Sequence, residues 1–267
     1  MADTVQQKLW YGRLPVVFAL HASDVTTLHA PRPFYAMLPR MGYLISQTRT
    51  VIEYFRDAAP PMPGNSIWFS HNSRPLKWHL PCGLLYDLSQ QHVDADARQL
   101  PWRVTVHFSG FPSDELLPCE NEQTVESHFM HTLKQSAFLR TGSTKLIMGM
   151  PEAQQTQIWT SVMHNDLASY YTATRDLQLA SSTMRFVPLR VYVENDPVVV
   201  QLPVAASSVA SLSEALAVLL PDLFPSLEPK YRVLLHGVSI PVSVPLLPLY
   251  ESFSYPDGFL HVAVVPA

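Results

Sequence analysis

Lysine is scarce in this sequence. Five occur in 267 residues, at positions 8, 77, 134, 145 and 230, and arginine fills the other 13 basic positions. With 22 acidic residues the formal net charge is −4, which gives no electrostatic reason to expect nucleic acid as a partner. The two cysteines, Cys82 and Cys119, are too few for a disulfide framework or a four-thiolate zinc site. Nine glycines are spaced so that none writes a phosphate-binding loop or a dinucleotide fingerprint, which disfavours a nucleotide cofactor bound through either. The N-terminal stretch MADTVQQKLWYGR lacks the apolar region of a secretory signal. The uncharged stretch 233–250 is broken by Pro241, Pro245 and Pro248, which argues against a membrane-spanning helix. A soluble, cytoplasmic protein is the expectation.

What the chain does have is apolar residues, 47% of the total, and 24 prolines. The first allows substantial cores; the second predicts many short elements divided by turns. LPVVFALHA (from 14) and PFYAMLPRM (33–41) read as strands, followed by a helix over 43–58 with Leu44, Val51, Ile52 and Phe55 on one face. SIWFSH (66–71) and RPLKWHLP (74–81) read as a hairpin, GLLYDLSQ (83–90) as a short helix, and WRVTVHFSG (102–110) as a closing strand. The order ββαββαβ is that of a ubiquitin-like β-grasp roll.

The C-terminal third repeats it. MRFVPLRVYV (184–193) and PVVVQLPVA (197–205) read as strands, and SLSEALAVLL (211–220) as a helix with Ser211 and Glu214 in capping-box spacing. YRVLLHGVSI (231–240) reads as a strand, PLLPLYESF (245–253) as a short helix and FLHVAVVP (259–266) as the last strand. Residues 121–180 lack strand alternation and hold helical runs, the first capped by Asn121 or Thr124. The expected fold is therefore α+β: an N-terminal segment over 1–13, a first ubiquitin-like domain over 14–112, a helix-rich domain over 121–180 and a second ubiquitin-like domain over 184–267.

Catalytic signatures are missing: there is no GxSxG, no HExxH and no paired-carboxylate motif. His128 and His131 share a helix face, but no carboxylate or cysteine stands at ligand spacing beside them, so no metal site is expected. Cys82 is more readily a half-buried structural thiol than a nucleophile. A thiol-dependent transferase using Cys82 with His79 is the rival to a non-catalytic scaffold, and a third reading is an unmodified adaptor with two ubiquitin-like rolls that binds its modifier noncovalently. The chain ends VVPA, without the glycine carboxylate that a donor modifier needs for activation.

Lys134 stands out within HFMHTLKQSAFLR (128–140). Val125, Phe129, Leu133 and Ala137 form an apolar helical stripe, and Lys134 lies about 100° away from it. It is read either as a snorkelling lysine that shields the stripe or as an amine within reach of an acyl donor.

Several stretches resemble the autophagy protein 5 family: LWYGRLPV (9–16), FYAMLPRMGYL (34–44), IWFSHNSRPLKWHLPCGLLYDL (67–88), LPWRVTVHFSGFP (100–112), VESHFMHTLK (125–134), MRFVPLRVYV (184–193), LLHGV (234–238) and SYPDGFLHVAVV (254–265). The resemblance runs in order over nearly the whole chain. It implies a non-enzymatic scaffold with two ubiquitin-like domains around a helix-rich one, whose lysine at the position of Lys134 receives autophagy protein 12. The modifier arrives through autophagy proteins 7 and 10. It also implies that autophagy protein 16 docks a helix in a groove shared by the domains. The assembly then promotes lipidation of autophagy protein 8, with autophagy protein 3 as a further, indirect conjugating enzyme, peripherally at the preautophagosomal structure membrane. The groove residues expected on this basis are Arg40, Trp78, His79, Pro81, His236 and Gly237, with a core role the alternative for Trp78. A loop around Pro60–Gly64 has no counterpart in the resemblance.

Overall fold

The computed structural model describes residues 4–60, 66–89, 100–119, 121–177, 184–193, 199–224 and 231–266. Positions 61–64 of the loop just named, and Ala267, lie outside them.

The N-terminal segment carries a helix, α1 (Val5–Trp10), closed by a reciprocal capping box between Thr4 and Gln7. Then β1 (Arg13–Leu20) and β2 (Phe34–Pro39) pair antiparallel, and α2 (Ile45–Phe55) turns its Val51 and Phe55 inward. β3 (Trp68–His71) and β4 (Arg74–Pro75) form a hairpin about Asn72 and Ser73, both with positive φ as a two-residue right-twisted hairpin requires. α3 (Cys82–Ser89) and β5 (Trp102–His107) complete the roll. β5 lies parallel to β1, giving the sheet order β2-β1-β5-β3-β4. Its residues Trp102, Val104, Val106 and Phe108 face the core and are buried, as the alternation predicts.

The helical middle holds α4 (Glu122–Thr141), α5 (Lys145–Met148), α6 (Glu152–Met163) and α7 (Leu167–Thr174). The break between the last two falls at Asn165, with φ of 57°. Their core joins Phe129, Leu133, Ile147, Ile158 and Trp159 with Tyr43 of the first roll and Trp10 of α1.

The second roll departs from the expected strands in three places. MRFVPLRVYV splits at Pro188 into β6 (Phe186–Val187) and β7 (Leu189–Val193), because proline has no N–H to continue a ladder. Residues 197–205 yield only β8 (Val199–Val200) and β9 (Val204–Ala205) among those described, and β9 leaves the main sheet to pair with β6. After α8 (Leu212–Leu219), the expected strand 231–240 is a hairpin: β10 (Tyr231–Leu235), a turn at His236 and Gly237, and β11 (Val238–Ser239). The chain ends with α9 (Leu246–Phe253) and β12 (Leu260–Pro266), parallel to β7. The order β11-β10-β12-β7-β8 repeats that of the first sheet strand for strand. In the first roll, RPLKWHLP is likewise not one strand: pairing stops at Pro75, and residues 76–81 turn into α3.

Candidate functional site

Lys134 lies in the fourth turn of α4, whose two ends are fixed by local chemistry. Asn121 caps the start by accepting the Thr124 N–H, and Gly142 ends the helix in the left-handed region at φ of 77°. The stripe Val125, Phe129, Leu133 and Ala137 is buried, and Lys134 is half-buried beside it. The two positions that follow it hold to the second roll. Gln135 accepts a hydrogen bond from Arg190 Nη2 at 2.9 Å. Ser136 is fully buried against Gly258, where a Cβ would stand only 2.2 Å from its Oγ. The lysine thus projects from a helix fastened to the second roll just after it. Of the other described lysines, Lys8 and Lys145 are exposed on shorter helices, and Lys77 lies in the connection between β4 and α3.

The six expected groove residues fall into two groups. Arg40 follows β2 and reaches across α3, donating to both oxygens of Asp87 at 2.6 and 2.7 Å and to the Gly83 carbonyl at 3.2 Å. Asp87 is 3% exposed, so the pair is sheltered from water. Gly237 closes over it: at φ of 80°, its absent Cβ would lie 3.1 Å from Arg40 Nη2 and 3.2 Å from Asp87 Oδ1. His236 precedes it, buried, with its Nε2 donating to the Phe253 carbonyl at 2.8 Å and its ring stacked on Tyr255 at 4.1 Å. Burial pulls the His236 imidazole down to about 3. Arg40, His236 and Gly237 therefore meet in the seam between the rolls.

Trp78 and His79 face the helical middle instead. Trp78 donates through Nε1 to the Leu117 carbonyl and packs edge-on to His128. His79 lies 4.6 Å from the His128 ring, and burial, then the neighbouring His128 and Lys77, hold it down at about 3. Pro81 is buried at the start of α3.

Sequence reasoning missed the groups that complete the seam. Leu88 of α3 packs on Leu234, Ala263 and Val265 of the second sheet. Asp257, His261 and Tyr192 form a buried hydrogen-bonded chain, with His261 bridging to Asp257 Oδ2 and to the Tyr192 hydroxyl at 2.8 Å each. Nothing in the residue types alone signals these contacts: Leu88 and Tyr192 meet partners far along the chain, and Asp257 and His261, four apart, are brought together by the loop before β12. Next to the seam opens a cavity of about 310 Å³, lined by parts of all three domains, including Trp10, Met41, Leu133, Tyr170 and Tyr250. Tyr255 links cavity and seam, lining the one and stacking on His236 in the other.

Cys82 is 1% exposed within the first roll's core, and burial pushes its thiol up to about 12. Such a thiol is neither ionised at neutral pH nor reachable, which removes the physical basis of a thiol nucleophile. Among the described residues, no helix is long and apolar enough to cross a membrane.

Two β-grasp rolls of identical strand order, joined through a helical bundle and a polar seam, define a protein built from paired ubiquitin-like domains rather than a single modifier. The chain belongs to the autophagy protein 5 family. Residues 9–108 match the family's UblA domain, 122–179 its alpha-helical bundle region and 186–264 its UblB domain. Autophagy protein 5 of Aspergillus clavatus is 30% identical over 98% of this chain and 97% of its own. That of Phaeosphaeria nodorum is 29% identical over 99% of this chain and 97% of its own. The crystal structure of Kluyveromyces marxianus Atg5 superposes with a TM-score of 0.84, covering 97% of this chain and 98% of that one, at 22% identity, and so shares the fold.

Proposed function

We propose that this protein is a non-catalytic scaffold of autophagosome formation, conjugated through Lys134 to the ubiquitin-like modifier autophagy protein 12. The observation that carries this reading is the setting of Lys134: a half-buried residue on a helix fastened to the second roll at the next two positions, in a chain that uses lysine sparingly. A fixed backbone limits the conformational freedom lost when the amine is presented to an acyl donor. In the reaction the neutral amine attacks the modifier's thioester carbonyl. The C–N bond forms, the C–S bond breaks, the thiolate leaves with the conjugating enzyme, and the amine's proton passes to a base of that enzyme.

The docking site for an autophagy protein 16 helix is the junction of the three domains, with Arg40, Trp78, His79, Pro81, His236 and Gly237 shaping its walls. Support comes from the cavity beside the seam, which draws its lining from every domain and suits apolar anchors of a partner helix. In this reading the assembly, peripheral to the preautophagosomal membrane, promotes transfer of autophagy protein 8 to phosphatidylethanolamine.

Reconstitution with the modifier, its two enzymes and ATP tests the claim. The parent yields an adduct stable to thiol reductant. Lys134→Arg keeps charge and helix propensity but offers no comparable nucleophile, so the adduct is abolished while the autophagy protein 16 helix still binds. An adduct formed by Lys134→Arg at the parental rate removes Lys134 as acceptor.

A further inference from the structure

We propose that His21, Asp24 and His107 form a binding site for a zinc-like divalent transition ion that fastens the long β1–β2 connection to the sheet of the first roll. One ring nitrogen of each histidine and one oxygen of the carboxylate lie within 4.8 Å of one another. His21 and Asp24 stand three apart, but His107 lies far along the chain in β5, so no ligand spacing announces the set. The fold unites them. His21 immediately follows β1, Asp24 ends the single 3-10 turn after it, and His107 is the last residue of β5, the parallel neighbour of β1.

The surrounding hydrogen bonds are those that orient metal ligands. His107 Nε2 is paired with Ser70 Oγ at 2.8 Å, and the ring is clamped face to face on Trp68 at 3.7 Å. The imidazole keeps its other nitrogen, aimed by a ring that has no room to turn. His21 Nδ1 stands 2.7 Å from Ser23 Oγ and also accepts the Ser23 N–H at 3.4 Å. Ligation through Nε2 requires the tautomer with the proton on Nδ1, donated to Ser23 Oγ in place of the longer N–H contact. The ring centroid stands 4.5 Å from that of His107. Two imidazoles sharing one tetrahedral ion, with metal–nitrogen bonds of about 2.0–2.1 Å, hold their centroids about 5 Å apart. The carboxylate of Asp24 is buried and accepts the Phe108 N–H at 3.0 Å and the Ser109 hydroxyl, each oxygen retaining a lone pair for a cation. Partners of this kind fix ring orientation and ligand basicity in metal sites. Closing the cluster to bonding distance takes a small movement of His21, which is exposed and so has room to make it.

The donor set selects the ion. Two imidazoles and one carboxylate suit zinc or cobalt with a fourth position left to water, whereas calcium and magnesium take oxygen-rich shells. What the ion would do is structural: residues 22–33 between β1 and β2 are largely exposed, and a bond at Asp24 ties their start to β5 and β3.

The test uses the full chain, free of any histidine tag and stripped with chelator, titrated with Zn²⁺ against a chromogenic chelator. One ion per chain is expected, with the thermal midpoint rising on loading, and bound Co²⁺ shows the intense absorption of four-coordination. His21→Ala, a surface change, weakens binding by at least about 100-fold and abolishes the midpoint rise. His29→Ala, an exposed histidine of the same connection, binds like the parent. His107→Gln provides a second loss-of-ligand variant if folded by circular dichroism. A parent that fails to compete with the chelator, a six-coordinate Co²⁺ spectrum, or a His21→Ala protein with parental affinity overturns the proposal.

Discussion

The two rolls use the same turn for different ends. Each closes its third and fourth strands with two residues of positive φ: Asn72 and Ser73 at 48° and 63° in the first, His236 and Gly237 at 51° and 80° in the second. Asn72 and Ser73 stand in solvent, where the turn only reverses the chain. Gly237 is laid over the Arg40–Asp87 pair of the other roll, while His236 beside it is buried against Tyr255 of its own. A device that satisfies backbone geometry in one copy thus becomes the docking element of the other. The difference lies in side-chain surroundings, since the strand order of the two sheets is identical.

The comparison breaks first if the rolls do not have independent cores. Phe108→Ala removes a buried aromatic from the first roll and should cost on the order of 3–5 kcal/mol. A parental melting midpoint would place Phe108 outside the core. Next in size is the seam. Arg40→Ala strands Asp87, 3% exposed, without its cation, at a cost of about 3–5 kcal/mol. Replacing both partners, Arg40→Met with Asp87→Leu, should recover most of the loss. If the single and double variants melt alike, the pair is not what makes the seam sensitive.

A smaller contrast isolates the turns themselves. Gly237→Ala meets both a left-handed backbone and contacts near 3.1 Å, and should cost about 1–3 kcal/mol. Ser73→Gly, at the matching position of the exposed turn, should leave the midpoint unchanged or raise stability by no more than about 1 kcal/mol. Changes equal in size and opposite in sign at the two positions would show that backbone strain alone governs both, and that docking contributes nothing.

Much of this architecture is legible in the residues, and the failures have one cause. The α4 helix is readable from Asn121, the four-residue stripe and Gly142, and α8 from Ser211, whose side chain accepts the Glu214 N–H as its spacing predicts. Glu214 itself reaches one residue further back than a capping box requires, to the Ala210 N–H. The hairpin at 231–240 was hidden because its alternation runs straight through His236, and a histidine at positive φ carries no sequence signal of its own. Its left-handed conformation is held by tertiary contacts with Tyr255 and Phe253. The short β4 likewise reflects its pairing partner, whereas the split at Pro188 follows from the proline's own missing N–H. Lys134 is conspicuous by scarcity. Asp87, Tyr255, Asp257 and His261 are not, because their roles exist only once the rolls meet.

The last contrast is in the proton. His236 occupies the turn position that Asn72 holds in the first roll, and asparagine tolerates the left-handed region. Burial, foremost, holds the folded His236 at about 3 against an ordinary value of 6.5, opposed by its bond to Phe253 and assisted by Arg40 and His261. Between those two values the unfolded chain binds a proton that the folded chain refuses, so stability rises with pH across the window and is complete above about 6.5. Acidification below that point should therefore remove up to about 1.4 kcal/mol per pH unit through this residue alone. His79, held down to the same level, adds a similar slope of its own. His236→Asn should cost little more than about 1–2 kcal/mol at neutral pH, where it loses the stack on Tyr255 and the bond to Phe253. Its dependence on pH between 6 and 4 should flatten by the slope of one histidine, leaving those of His79, His107 and His128, which burial also holds down. Chemical denaturation at a series of pH values reads both effects together. A variant whose slope matches the parent's would show that His236 is protonated alike in both states, and that the second turn is as open to water as the first.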